Sequence, residues 1–121
     1  MRVLIIDDSR AMRMILKSAL TEMGHDVSEA TDGRQGLERV HESGPFGLVL
    51  VDWNMPEMNG YEFVQAVRQD HANDDMKLIM VTTEVETSRV TSALEAGANE
   101  YVMKPFTKDI LREKIEMTVA V

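Results

Sequence analysis

Four short, unbroken apolar runs punctuate this chain: Val3-Leu4-Ile5-Ile6, Leu48-Val49-Leu50-Val51, Leu78-Ile79-Met80-Val81 and Tyr101-Val102-Met103. A strand with one wet face alternates apolar and polar side chains. A run that is apolar at every position fits a strand covered on both faces, as in a parallel sheet. A weaker run, His25-Asp26-Val27-Ser28-Glu29-Ala30, alternates over part of its length and reads as an edge strand. Helical spacing fills the intervals. Met12, Ile15, Leu16, Ala19, Leu20 and Met23 follow the i, i+3, i+4, i+7 rule of one buried stripe, with Gly24 as a left-handed stop. Asp32 with Gln35, and Asn59 with Glu62, have capping-box spacing. Val90, Ala93 and Leu94 form a narrower stripe within 86–96 that ends at Gly97. Thr107 is the expected N-cap of a final helix carrying Leu111, Ile115 and Val119.

The pattern is five β-then-α units of about 24 residues each, in a single domain over 1–121. Repeated units of this kind, joined by right-handed crossovers, build a parallel sheet between two layers of helices. The expected fold is α/β, a doubly wound (βα)5 three-layer sandwich with strand order 2-1-3-4-5. In such sheets ligands bind beyond the carboxyl ends of the strands, where the winding reverses. Here that point falls between the first and third strands.

Composition narrows the chemistry. The 121 residues carry a formal charge of −8, which argues against a nucleic-acid partner, since phosphate contacts need clustered Lys and Arg. With no cysteine, disulfides, thiolate metal sites and cysteine nucleophiles are excluded. No stretch approaches the roughly 20 apolar residues of a membrane span, and the apolar run at the amino terminus is too short for a signal peptide. The expected protein is a cytoplasmic monomer with no membrane insertion.

The polar residues at the end of each run carry the chemistry. The first strand leads into Asp7-Asp8, the third into Asp52, the fourth into Thr82-Thr83 and the fifth into Lys104-Pro105. One Asp after a strand is an ordinary turn former. Three carboxylates, a hydroxyl and an ammonium gathered at one edge are not. Crowded carboxylates must protonate or share a cation, and hard oxygen ligands select Mg²⁺, Mn²⁺ or Ca²⁺. On this reading Asp8 and Asp52 are direct ligands and Asp7 acts through water. A carboxylate can also act as a nucleophile and form an acyl phosphate. The oxygens of a transferred phosphoryl group would then be met by the metal, Lys104 and the Thr82 hydroxyl.

These motifs, Asp7-Asp8-Ser9-Arg10, Val51-Asp52-Trp53-Asn54-Met55-Pro56-Glu57-Met58-Asn59-Gly60, Val81-Thr82 and Tyr101-Val102-Met103-Lys104-Pro105-Phe106, resemble the response-regulator receiver family, whose fold is flavodoxin-like. The likeness spans essentially the whole chain. It implies Asp52 as phosphoacceptor, with Asp7, Asp8, Asp52 and the Asn54 backbone carbonyl arranging Mg²⁺, for which Mn²⁺ can substitute. It further implies Thr82 as a switch hydroxyl, Lys104 as the phosphate-binding lysine and Tyr101 as an aromatic switch. Asn54 and Glu84 would modulate dephosphorylation, and the Lys104-Pro105 bond would be cis. Within the family the wording is similar to the single-domain chemotaxis (CheY-like) type. That type implies a sensor histidine kinase (CheA-like) as donor and a target such as a flagellar-motor switch protein. Such a protein is no enzyme beyond its own phosphorylation and dephosphorylation. Two departures stand out: Thr83 where a smaller residue commonly follows the switch hydroxyl, and Val85-Glu86 after Glu84 where lysines are usual.

Other readings carry less. A receiver cut from a longer regulator or hybrid kinase would share the chemistry. A small-molecule aspartyl-phosphate phosphatase would place its acidic pair two residues apart and carry a cap domain. The acidic first loop speaks against a flavin-phosphate cradle. Met12, Met23, Met80 and Met103 read as core, His25, His41 and His71 as surface, and 70–75 as a solvated loop. Trp53, beside Asp52, is expected to pack against or border the site.

Overall fold

Each apolar run becomes a strand because backbone donors and acceptors buried under two helix layers must pair with a neighbour. In the computed structural model, which describes residues 1–83 and 89–120, these are β1 (Arg2–Ile6), β2 (Asp26–Ala30), β3 (Leu48–Asp52), β4 (Lys77–Thr83) and β5 (Glu100–Lys104). They lie parallel in the order β2-β1-β3-β4-β5, so the weakly patterned β2 is an edge. The helices are α1 (Arg10–Glu22), α2 (Gly33–Ser43), α3 (Gly60–Arg68), α4 (Val90–Ala96) and α5 (Lys108–Val119).

Alternate strand residues serve two cores. Val3, Ile5, Leu48, Leu50, Ile79, Val81 and Val102 pack against Leu16 and Leu20 of α1 and Leu111 and Ile115 of α5. Leu4, Ile6, Val49, Val51, Leu78 and Met80 face Val40 of α2, Phe63 and Val64 of α3, and Ala93 of α4. Most of the helix ends follow the side-chain chemistry. Ser9, Asp32, Asn59 and Thr107 each accept a backbone N–H of the first turn. Gly24 and Gly97 take the positive φ that closes α1 and α4. Asn59 and Glu62 form a complete capping box. At Asp32 only half forms, because the Gln35 side chain instead accepts the Thr31 N–H at 2.7 Å.

The expectations at Ile15, at Leu94 and over 70–75 need correction. Ile15 is 55% exposed and Leu94 39% exposed, so neither belongs to the buried stripe of its helix. A helix lying on a flat sheet touches it along a narrow line, and residues flanking that line stay in water. The segment 70–75 is not simply solvated. His71–Asn73 form a 3₁₀ turn with Asn73 buried, and Arg68 donates to the carbonyls of Asn73, Met76 and Gly97. The Lys104–Pro105 bond is cis, as is Gly44–Pro45. No helix among the described residues is long and apolar enough to cross a membrane.

Candidate functional site

Parallel strands bring all their carboxyl ends to one edge, and neighbouring strands bring specific residues together. Asp7 and Asp8 follow β1, Asp52 ends β3, and these two strands are adjacent. One carboxylate oxygen from each of Asp7, Asp8 and Asp52 lies within 4.8 Å of the others. Lys104 ends β5, two strands away from β3, and its long side chain spans the gap. Its Nζ donates to Asp52 Oδ1 at 3.0 Å and faces Asp7 Oδ2 at 3.5 Å.

The acidic pair divides by burial. Asp7 is 1% exposed, and its Oδ1 accepts the Ser9 N–H at 2.8 Å. Asp7 Oδ2 is sealed from solvent and accepts no hydrogen bond among the described residues, and the Lys104 ammonium stands 3.5 Å from it. Asp8 stays exposed. A buried oxygen without a donor, beside two further carboxylates, suits a hard divalent cation: one lysine cannot neutralise three carboxylates, and the available donors are all oxygens. Asp7, Asp8 and Asp52 therefore fit a divalent metal site.

Burial also shapes Asp52. Loss of solvent pushes its carboxyl up to about 6; the Lys104 hydrogen bond pulls the other way, and the Asp7 charge adds to the rise. At pH 7 the carboxylate is still the major form. Burial works against the Lys104 charge, but the bond to Asp52 and the nearby Asp7 outweigh it and hold the ammonium above its ordinary range.

Thr82 is completely buried near the end of β4, paired in register with Met103. Tyr101 pairs with Met80, so by the two-residue alternation of strands Thr82 and Tyr101 share the sheet face covered by α3 and α4. Tyr101 lies three residues back from the edge, half-buried, with Lys114 Nζ 4.8 Å above its ring. Asn54 is exposed in the turn after Asp52, and Thr83 sits opposite Lys104 in register. Glu84, with Val85 and Glu86, lies outside the described residues. Trp53 is buried, stacked on Tyr61 with centroids 5.8 Å apart, and has the Arg89 guanidinium 5.7 Å from its ring.

Two contributors escape a reading of the motifs alone. A Cβ on Gly60 would lie 2.4 Å from the Asp52 carbonyl oxygen, so glycine lets α3 start against the back of the phosphoacceptor candidate. The glycine after an N-cap Asn is the only local trace of this. Arg13, on α1, donates from Nη1 to the Asp7 carbonyl at 2.7 Å, and an arginine on an amphipathic helix carries no such signal.

Known proteins share both the architecture and its wording. A chemotaxis protein CheY homolog of Campylobacter jejuni is 46% identical over 117 residues, covering 96% of this chain and 90% of that protein. The chemotaxis protein CheY1 of Helicobacter pylori is 42% identical over 120 residues, covering 98% and 97%. The structure of the chemotaxis response regulator CheY4 of Vibrio cholerae superposes with a TM-score of 0.90 at 32% identity, over 97% of each chain. The receiver-domain model of response regulators matches residues 3–116, which takes in every strand end described above, and the chain belongs to the response regulator receiver domain family.

Proposed function

We propose that this protein is a chemotaxis response regulator that accepts a phosphoryl group on Asp52 and thereby changes its affinity for a downstream target. The observation that carries the reading is the Lys104 ammonium 3.0 Å from Asp52 Oδ1, inside a cluster of three carboxylates at the sheet edge. The chemotaxis setting rests on the relatives named above.

In the proposed reaction an Asp52 carboxylate oxygen attacks the phosphorus of a phosphohistidine on a CheA-like kinase. The P–N bond breaks as the P–O bond forms, the imidazole nitrogen keeps the electron pair, and an acyl phosphate results. Asp52 is ionised at pH 7 and ready to attack. Lys104 then turns from the carboxylate to a phosphoryl oxygen, and the Thr82 hydroxyl donates to another. Mg²⁺, held by Asp7, Asp8, Asp52 and the Asn54 carbonyl, would set positive charge against both the carboxylates and the phosphoryl oxygens. Hydrolysis returns the carboxylate and inorganic phosphate, with Asn54 flanking the attacking water, so the protein's chemistry is confined to its own phosphorylation and dephosphorylation.

Thr82, drawn toward the phosphoryl group, would free space on the face it shares with Tyr101. Tyr101 would then turn inward and alter the surface of α4, β5 and α5, where a target such as a flagellar-motor switch protein would bind. The test is mass spectrometry of the protein after treatment with a small phosphodonor and Mg²⁺. The modification should map to Asp52 and be labile to hydroxylamine. Labelling that persists in Asp52→Asn would overturn the assignment.

A further inference from the structure

We infer that Arg13 is a positioning residue for the metal-binding carboxylates, gripping the Asp7–Asp8 turn from behind through the Asp7 backbone carbonyl. This rests on the metal-site reading above. Asp7 follows the last residue of β1, where the chain leaves the sheet. Its N–H still reaches the Ala30 carbonyl of β2 at 3.1 Å. Its own carbonyl is taken by Arg13 Nη1 at 2.7 Å, the guanidinium folding back over the start of α1.

The same guanidinium has a second hold. Its Nε faces Glu29 Oε1 on β2 at 3.4 Å, and the Arg13 side chain is only 15% exposed. Glu29 is itself fixed, with Lys17 3.4 Å from Oε2 and Arg39 Nε donating to its carbonyl at 3.2 Å. A planar guanidinium presents its donors in a rigid fork, so holding both partners ties the turn to the edge strand. Ser9 N–H fixes Asp7 Oδ1 at the same time. Backbone and side chain are thus both set, with Oδ2 directed toward Lys104.

The charge on Arg13 makes the sign of the test informative. By Coulomb's law alone, a cation near three carboxylates weakens the binding of another cation, so removing it would tighten magnesium. Positioning gives the opposite sign. Loss of a partner that orients a metal ligand costs about 10- to 100-fold in affinity, and one bond to a backbone carbonyl belongs near the lower figure.

Magnesium is titrated into the 121-residue wild type and into Arg13→Met, Lys17→Met and Asp8→Asn, read by Trp53 fluorescence. Arg13→Met, which keeps an unbranched apolar stem, is expected to bind about tenfold more weakly. Lys17→Met, which removes a partner of the same Glu29 that has no bond to Asp7, should bind as well as wild type or better. Unchanged or tighter binding in Arg13→Met overturns the inference, and so does equal weakening in Lys17→Met. Each Kd is measured on folded protein, so lost stability alone does not move it. If Asp8→Asn binds like wild type, the metal-site reading itself falls, and Arg13's role with it. If Asp8→Asn loses binding while Arg13→Met keeps it, only the role of Arg13 falls. Should Arg13→Met not fold, wild-type NMR decides. Arg13 Nη hydrogens are expected to exchange more slowly than those of exposed Arg34 and to shift on adding Mg²⁺; exchange at the Arg34 rate would refute the grip.

Discussion

Asp52 is 7% exposed beside Asp7 and Asp8, and its carboxyl is pushed up to about 6 from an ordinary 3.8, by burial first. The folded state therefore holds this proton more tightly than the unfolded chain does. Stability contributed by the group is greatest below the unfolded value and declines as pH rises from about 4 to about 6, then stays level. The difference of about two units, at 1.36 kcal/mol per unit, makes the ionised group cost on the order of 3 kcal/mol at pH 7.5, an upper figure since residual solvent screens it. Asp52→Asn removes the charge while keeping an oxygen that can accept from Lys104. In metal-free buffer at pH 7.5 the variant should be more stable by about 2–3 kcal/mol, which moves the urea midpoint up by roughly 1–2 M. At pH 4 the two proteins should unfold together. Saturating Mg²⁺ should close the gap at pH 7.5, because it stabilises the wild type by RT ln(1 + [L]/Kd). An Asp52→Asn protein no more stable than wild type in chelator at pH 7.5, or equally stabilised at pH 4 and 7.5, would refute the reasoning.

Lys104→Met should raise the Asp52 carboxyl above about 6, because the hydrogen bond and charge opposing the rise are gone; carboxyl ¹³C shifts against pH would show it, and an unchanged midpoint would mean that Lys104 does not hold Asp52 in solution. Gly60→Ala places a Cβ 2.4 Å from the Asp52 carbonyl oxygen, which is backbone and cannot step aside. Overpacking of this kind should cost about 1–3 kcal/mol in denaturant unfolding. Thr82→Ala should still accept phosphate at Asp52 yet show much smaller beryllofluoride-induced amide shifts across α4, β5 and α5. Equal shifts in wild type and variant would route the switch elsewhere.

The architecture was legible because it depends on local regularities. Runs such as Val3-Leu4-Ile5-Ile6 fit strands buried on both faces, and parallel strands must put Asp7, Asp8, Asp52, Thr82 and Lys104 at one edge. The candidate site residues are proposed from chemistry in short windows, and the caps at Asn59 and Thr107 form as such windows predict. Helical period alone could not set the limits of a buried stripe: Ile15 lies one step from Leu16, yet water covers it, because contact with a sheet is narrower than the apolar pattern. Nor could adjacency separate Asp7 from Asp8. Their burial, 1% against an exposed neighbour, depends on which side of the β1 turn faces the protein, and on Arg13 and Ser9 holding it there. Arg68 binding carbonyls up to Gly97 belongs to the same class. Periodicity is a property of neighbours along the chain and survives in the sequence; which side of a turn is buried, and which carbonyl a long side chain reaches, is decided only once packing has removed the water that would otherwise solvate both partners.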